Sequence, residues 1–267
     1  MKRKTLSAVL FTALAVSLTA CSATGGSSES GVDDSLTSVQ ESGVLTVGTE
    51  GTYRPFSYHE NGSGDLTGYD VEIVEAVAAE LGVDASFQET QWDGIFAGLT
   101  SERFDVIANQ VSMTPERIDA YDFSTPYTYS NGVIVVPADN TTITSFESLA
   151  GKTTAQSGSS NWRDLATESG ATVEVIEGWA QSVALVEQGR VDATINDKLT
   201  FLDYEKNNDA SSLKVAAETT EQSQSAFAFI KGSTALVAAV DEALATLAAD
   251  GTLASISDTY FGADVSK

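Results

Sequence analysis

Twice in this chain a helical segment passes through a charged turn into an apolar–Asp–apolar stretch that ends in polar side chains. No other feature constrains the fold as much. In one copy Thr100-Ser101-Glu102-Arg103 turns into Phe104-Asp105-Val106-Ile107-Ala108 and stops at Asn109-Gln110. In the other, Gly189-Arg190 turns into Val191-Asp192-Ala193-Thr194-Ile195 and stops at Asn196-Asp197. Strands that alternate with helices imply a parallel sheet covered by helices, so the fold class is α/β. The repeat predicts two similar lobes, although the folded length also suits one larger domain. Ligands of open α/β sheets bind beyond the carboxyl ends of the strands, which sets both polar ends towards one cleft.

Periodicity places the neighbouring elements. A strand is expected over 45–49 and a turn at Asn61-Gly62. A helix over 70–81 carries Ile73, Val74, Val77, Ala78 and Leu81 on one face, and Gly82 closes it. A strand over 85–88 follows, then a helix from Trp92 with Ile95, Phe96 and Leu99 inward. Later helices are expected over 179–188, 235–249 and 252–260.

The amino terminus reads differently. Lys2-Arg3-Lys4 precedes an apolar run over 6–18, the pattern of an export signal (residues 1–20) rather than a spanning helix. Leu18-Thr19-Ala20-Cys21 resembles a bacterial lipoprotein box. Cys21 is the sole cysteine, so an internal disulfide is excluded. It is either an inert thiol or, as the box implies, a lipidation site. Diacylation with N-acylation supplies enough buried methylenes for stable anchoring. Ser22 rather than an acidic residue follows it, so a host with two membranes is expected to send it to the outer one. Residues 21–42, rich in Ser, Gly, Thr and acidic side chains, read as a flexible tether. Against 38 acidic residues the chain has 14 basic ones, a net charge of −24, which makes nucleic acid a poor partner. No later apolar stretch is long enough to cross a bilayer.

Several chemistries have no residues to run them. His59 is the only histidine and lies in a polar turn, which leaves no metal site and no Ser/His/Asp or Cys/His set. A Gly-rich loop ending in Lys is missing as well, so nucleotide hydrolysis belongs to another protein. Arg117 stands out instead. It closes the run Asn109-Gln110-Val111-Ser112-Met113-Thr114-Pro115-Glu116-Arg117. Either it is a surface residue in a helix capped by Thr114 with Pro115 first, or its planar guanidinium grips a carboxylate through two parallel hydrogen bonds.

That run continues into Ile118-Asp119-Ala120-Tyr121-Asp122-Phe123-Ser124-Thr125-Pro126-Tyr127. With Val47-Gly48-Thr49-Glu50-Gly51-Thr52-Tyr53-Arg54-Pro55-Phe56, Gly68-Tyr69-Asp70-Val71 and Trp92-Asp93-Gly94 it resembles the polar amino-acid-binding proteins of ABC importers (solute-binding protein family 3). The resemblance spans 44–267. Asn109-Gln110-Val111 and the tail Phe261-Gly262-Ala263-Asp264-Val265-Ser266-Lys267 are most similar to cystine-binding members. It implies a type II periplasmic-binding-protein-like fold with two crossings, near 130–137 and 225–230. Lobe 1 is then 43–129 with 227–267, and lobe 2 is 130–226. It also implies an extracytoplasmic, membrane-anchored monomer without cofactor or catalysis. Such a protein closes on a polar L-amino acid, cystine by the narrower likeness, and delivers it to a permease with its ATPase subunit. The alternatives are a secreted dehydratase-like enzyme on the same fold, drafting Glu50 or Asp197, and a ligand-sensing module.

An α-amino acid needs an anion grip, a cation grip and a selectivity wall. Arg117 is the first candidate, aided by the loop Gln156-Ser157-Gly158-Ser159-Ser160-Asn161, whose amide N–H groups and hydroxyls face an anion in the family. The other reading of Ser159, Ser160 and Asn161 is an ordinary cap for a helix from Trp162. The resemblance makes Asp197 the ammonium ligand, where a helix cap is the plainer role. Ser112, Asn109 and Gln110 complete the polar contacts. Tyr53, Phe56 and Trp92 form the wall or else the core, Phe56 most of all. Glu50 is placed to pair with the second ammonium of cystine.

Overall fold

This computed structural model describes Asp33–Lys267, and every structural statement concerns those residues. The expected export signal, Cys21 and the start of the tether lie outside the described residues. The tether expected through residue 42 is shorter than the composition suggests. Ser35–Ser42 forms helix α1, and its Val39 is buried in the core. Asp33 marks the boundary by accepting hydrogen bonds from Ser35 N at 3.1 Å and from the distant Ala235 N at 2.6 Å.

Strand β1 (Val44–Thr49) starts the main sheet. Behind it β2 (Thr52–Tyr53), β3 (Ser57–His59) and β4 (Leu66–Thr67) make a small antiparallel sheet. Helix α2 (Tyr69–Leu81) buries Ile73, Val74, Val77 and Ala78, the face its spacing predicts, and Gly82 ends it in left-handed backbone. Next come β5 (Asp84–Glu89), α3 (Trp92–Thr100) and β6 (Val106–Ser112), with β1 parallel to both strands. The short α4 (Pro115–Ala120), β7 (Tyr121–Phe123) and β8 (Thr128–Ser130) close this part.

The second lobe opens one residue later with β9 (Gly132–Pro137). It continues through β10 (Thr153–Gln156), α5 (Asn161–Glu168), β11 (Thr172–Val175), α6 (Gly178–Glu187), β12 (Thr194–Asp197), α7 (Lys198–Asn207) and β13 (Leu213–Glu218). Strand β9 lies between β12 and β13, antiparallel to each, while β10 pairs with β11 in parallel and touches the β12 side through Thr154 and Ala193. The chain then returns as β14 (Ser223–Ile230), followed by α8 (Thr234–Ala249) and α9 (Thr252–Phe261). The main sheet runs β5-β1-β6-β14-β7, with β8 also on β14. This is a two-lobed α/β fold.

Three expectations need correction. Neither sheet is purely parallel, because β14 runs antiparallel to β6, β7 and β8, and β9 is antiparallel to both its neighbours. The chain also recrosses earlier than 225–230, since β14 already belongs to the main sheet from Ser223. Finally, the polar end of the first repeated stretch, Asn109-Gln110, lies inside its strand, whereas Asn196-Asp197 does close β12. Strand β6 runs buried through Asn109 to Ser112 because β14 supplies its hydrogen-bond partners, Ala226 opposite Val111 and Ser225 opposite Ser112. A register shift beside this pair coincides with Gln110 at φ +51°, a left-handed conformation that costs a non-glycine residue about 1–2 kcal/mol.

Candidate functional site: the cleft between the lobes

Strand β6 ends over the cleft, and its side chains are held by partners far away in sequence. Asn109 accepts through Oδ1 from Glu50 N at 2.8 Å and Thr49 Oγ1 at 3.1 Å, which leaves its Nδ2 to donate to Glu50 Oε2 at 2.6 Å. Glu50 is thereby fixed facing the cavity. Burial raises its pKa to about 7, with Glu177 and Asp93 adding repulsion and the Asn109 bond working against them. Gln110 is bound twice to one buried carboxylate: its N–H to Asp70 Oδ2 at 2.8 Å and its Nε2 to Asp70 Oδ1 at 2.6 Å. Burial lifts Asp70 to about 7 against those same hydrogen bonds. Its Nε2 also donates to Thr128 Oγ1 at 3.1 Å, so all three Gln110 donors are taken, and its Oε1 is buried without a partner.

The cavity encloses about 500 Å³ of atom-free space, mouth included. Lobe 1 lines it with Glu50, Tyr53, Trp92, Asn109 and Gln110. Lobe 2 adds the β10–α5 loop with Trp162, the start of α6 at Trp179, and Asn196. Two more buried polar atoms on these lining residues have no partner, Trp92 Nε1 and Gln156 Nε2. These wall residues therefore hold two donors and one acceptor without a partner among the described residues, in a setting where an unpaired group costs about 1–3 kcal/mol. A ligand with both acceptor and donor atoms answers that set.

Tyr53 joins the two lobes. Its hydroxyl donates to Asn196 Oδ1 at 2.8 Å and accepts from Thr200 Oγ1 at 3.1 Å, while its ring packs 5.0 Å from Phe56. Burial drives its pKa well above the ordinary value. Arg117 lies beside the cavity rather than on its wall. Its guanidinium sits 5.2 Å from the ring centres of both Trp92 and Phe96, and it donates to Ser112 O at 3.1 Å and Ser159 O at 3.2 Å. Burial lowers it to about 10, so it stays charged at neutral pH. The helix reading of its segment also holds: Thr114 caps α4 and Pro115 is first.

Of the expected site residues, the fold brings Glu50, Tyr53, Trp92, Asn109, Gln110, Ser160 and Asn161 to the cavity wall. Phe56 is fully buried core, stacked among Tyr53, Tyr69 and Phe261. Ser112 lies in an adjoining groove and accepts from Ser223 Oγ at 3.1 Å. Asp197 caps α7: its Oδ1 accepts from Leu199 N at 2.8 Å and Ser130 Oγ at 2.7 Å, and burial raises its pKa to about 6. Ser160 also caps α5, while the donors of Ser159 go to Asp93. Trp162, Trp179 and Ser182 were not foreseen as wall residues, whereas Gln156 belongs to the loop expected to face an anion and Asn196 to the polar end expected to face the cleft. Trp162 reaches the cavity because residue 132 is glycine, where a Cβ would fall 2.4 Å from the indole. His59 pairs with Glu89 at 3.0 Å, and among the described residues no cluster of three His, Cys, Asp or Glu side chains is arranged for a metal.

Comparison with known proteins agrees with this geometry. The family model of bacterial extracellular solute-binding proteins, family 3, matches residues 45–263. The L-cystine-binding protein TcyA of Bacillus subtilis is 48% identical, over 99% of this chain and 100% of its own. Among solved structures, the L-cystine solute receptor of Neisseria gonorrhoeae in the unliganded open conformation is 44% identical, with TM-score 0.59 over 87% of this chain and 99% of the other. An ancestral arginine-binding protein bound to arginine is 33% identical but fits with TM-score 0.77, over 82% and 99%. The less identical, ligand-bound structure superposes better, so the lobes here are arranged more like the bound form than the open one.

Proposed function

Because this chain belongs to the bacterial extracellular solute-binding proteins, family 3, we propose that its cleft captures an amino acid with two heads, L-cystine, for delivery to an ABC permease. The observation that carries the reading is the set of unpaired wall atoms, Trp92 Nε1, Gln156 Nε2 and Gln110 Oε1. Two donors suit a carboxylate and one acceptor suits an ammonium, the contents of one amino-acid head. Arg117 supplies the charge for that carboxylate, and Asp197 and Ser112 supply the ammonium side by turning from their present partners. A second hollow, about 820 Å³ of atom-free space with its mouth included, shares Glu50, Gly178 and Trp179 with the first and adds Glu89 and Glu177. Its acidic wall suits a second ammonium, with Glu50 as the nearest partner. TcyA of Bacillus subtilis, by its name a cystine binder, supports the same choice.

The protein is extracytoplasmic as a member of this family. In this proposal Cys21 carries the lipid, the monomer is the working unit, and the chain binds without catalysing. The lobes divide as 33–130 with 223–267, and 132–218. Ligand touching both lobes favours the closed arrangement by its differential affinity, and the permease reads that shape.

A thermal-shift and calorimetric screen of the amino acids, with cystine included, tests the substrate. The largest stabilisation is expected with cystine and is lost when a reductant splits it. An equal shift with several amino acids, unaffected by reductant, removes cystine from the reading.

A further inference from the structure

We infer that Asp93 and the Gly158-Ser159 backbone form a latch between the lobes that biases the chain towards closure without touching ligand. Asp93 is the second residue of α3, in lobe 1, and faces the β10–α5 loop of lobe 2. Its Oδ2 accepts from Gly158 N at 3.0 Å, and its Oδ1 accepts from Ser159 N and Ser159 Oγ at 2.8 Å each. Arg117, also from lobe 1, takes the remaining polar atom of Ser159 by donating to its carbonyl at 3.2 Å. Every hydrogen-bonding group of Ser159 is therefore engaged across the cleft. Successive backbone N–H groups in a loop of this kind make a nest for an anion, and here the chain's own carboxylate fills it.

Two features mark the contact as built for closeness. A Cβ at position 158 would lie 2.8 Å from Asp93 Oδ2 and 3.3 Å from Val175 Cγ1, so glycine is what admits the carboxylate. Asp93 and Ser159 do not line the cavity, yet each adjoins a residue that does, Trp92 and Ser160. Closing the latch thus brings the two halves of the wall into register. Asp93 acts as a positioning residue. Charge-assisted hydrogen bonds of this sort, discounted for their exposure, are expected to shift the open–closed ratio about ten-fold.

Lobe separation in the absence of any amino acid provides the test, independent of which ligand the cleft takes. Spin labels at Glu60→Cys and Asp209→Cys, in a chain carrying Cys21→Ser, report the distance by double electron–electron resonance. Both sites are exposed, one in each lobe. Asp93→Ala and, separately, Gly158→Ala should lengthen the distribution, with unchanged melting temperature. The second variant keeps the charge of Asp93, which otherwise acts on Glu50. With cystine or another bound amino acid, both variants should release it about ten-fold faster at an unaltered association rate. Unchanged distances in both variants overturn the latch, and so does a lengthening in Asp93→Ala alone.

Discussion

Replacing Glu50 by Gln should remove most of the pH dependence of binding between pH 5.5 and 7.5. The carboxyl is held at about 7 in the structure, from an ordinary 4.5, chiefly by burial. An ammonium placed against it favours the ionised form, so binding expels a proton and affinity rises with pH. If bound ligand returns Glu50 to its ordinary pKa, two-site linkage predicts affinity about 20-fold weaker at pH 5.5 than at 7.5. Near pH 6 about 0.9 proton should leave per ligand bound. Isothermal titration of cystine in two buffers with different ionisation enthalpies measures both quantities. In Glu50→Gln the slope should fall to the part that Asp197 contributes, whose pKa of about 6 gives it the same sign. A flat profile in the native chain, or an unchanged slope in the variant, refutes the pairing of Glu50 with a cationic head.

Arg117→Ala removes the charge stacked on Trp92 and Phe96 and should weaken amino-acid binding about 100-fold or more by calorimetry; submicromolar affinity in that variant takes Arg117 out of the site. Phe56→Ala empties a fully buried aromatic position and should cost about 3–5 kcal/mol by denaturant titration. The folded fraction should still bind, and loss of binding without loss of stability would return Phe56 to the wall. Asp70 has a folded-state pKa of about 7 against an ordinary 3.8, so its ionisation opposes folding. Its contribution is therefore most favourable at low pH, and it is lost as pH rises from about 4 to 7, by about 1 kcal/mol per unit in that window. Asp70→Asn should flatten this part of the stability profile, and an equally steep profile in the variant would show that the side chain is ionised throughout.

Local order was legible in the sequence, and pairing at long range was not. The spacing of Ile73, Val74, Val77 and Ala78 foretold the buried face of α2, and Thr114 with Pro115 foretold the start of α4. Such signals lie within one or two turns of chain. The end of β6 was misplaced because hydrophobicity alone cannot anticipate a partner strand. Ser112 looks like a loop residue until β14 arrives from more than a hundred positions away and sets Ser225 opposite it. The aromatic candidates divided in the same way. Phe56 and Tyr53 are three residues apart, and only the placement of Phe261 and Asn196 around them makes one core and the other wall. Gln156 was legible only as part of the β10–α5 loop, since its own importance lies in a hydrogen bond that the rest of the described protein does not make.

The repeated polar strand ends do similar work by different means, and Gln110 shows why a buried acid is worth retaining. Left-handed backbone at a glutamine is unfavourable, and a buried carboxylate with a pKa near neutrality is unfavourable as well. Each stabilises the other: Asp70 accepts both the main-chain N–H freed by the bulge and the side-chain amide. With its donors fixed, Gln110 keeps only Oε1 available beside the cavity. In the second lobe the Oδ1 of Asn196 accepts from Asp197 N at 2.7 Å within its own lobe as well as from Tyr53 across the cleft, so each lobe orients its own polar residues and the Tyr53 contact adds a bond between them.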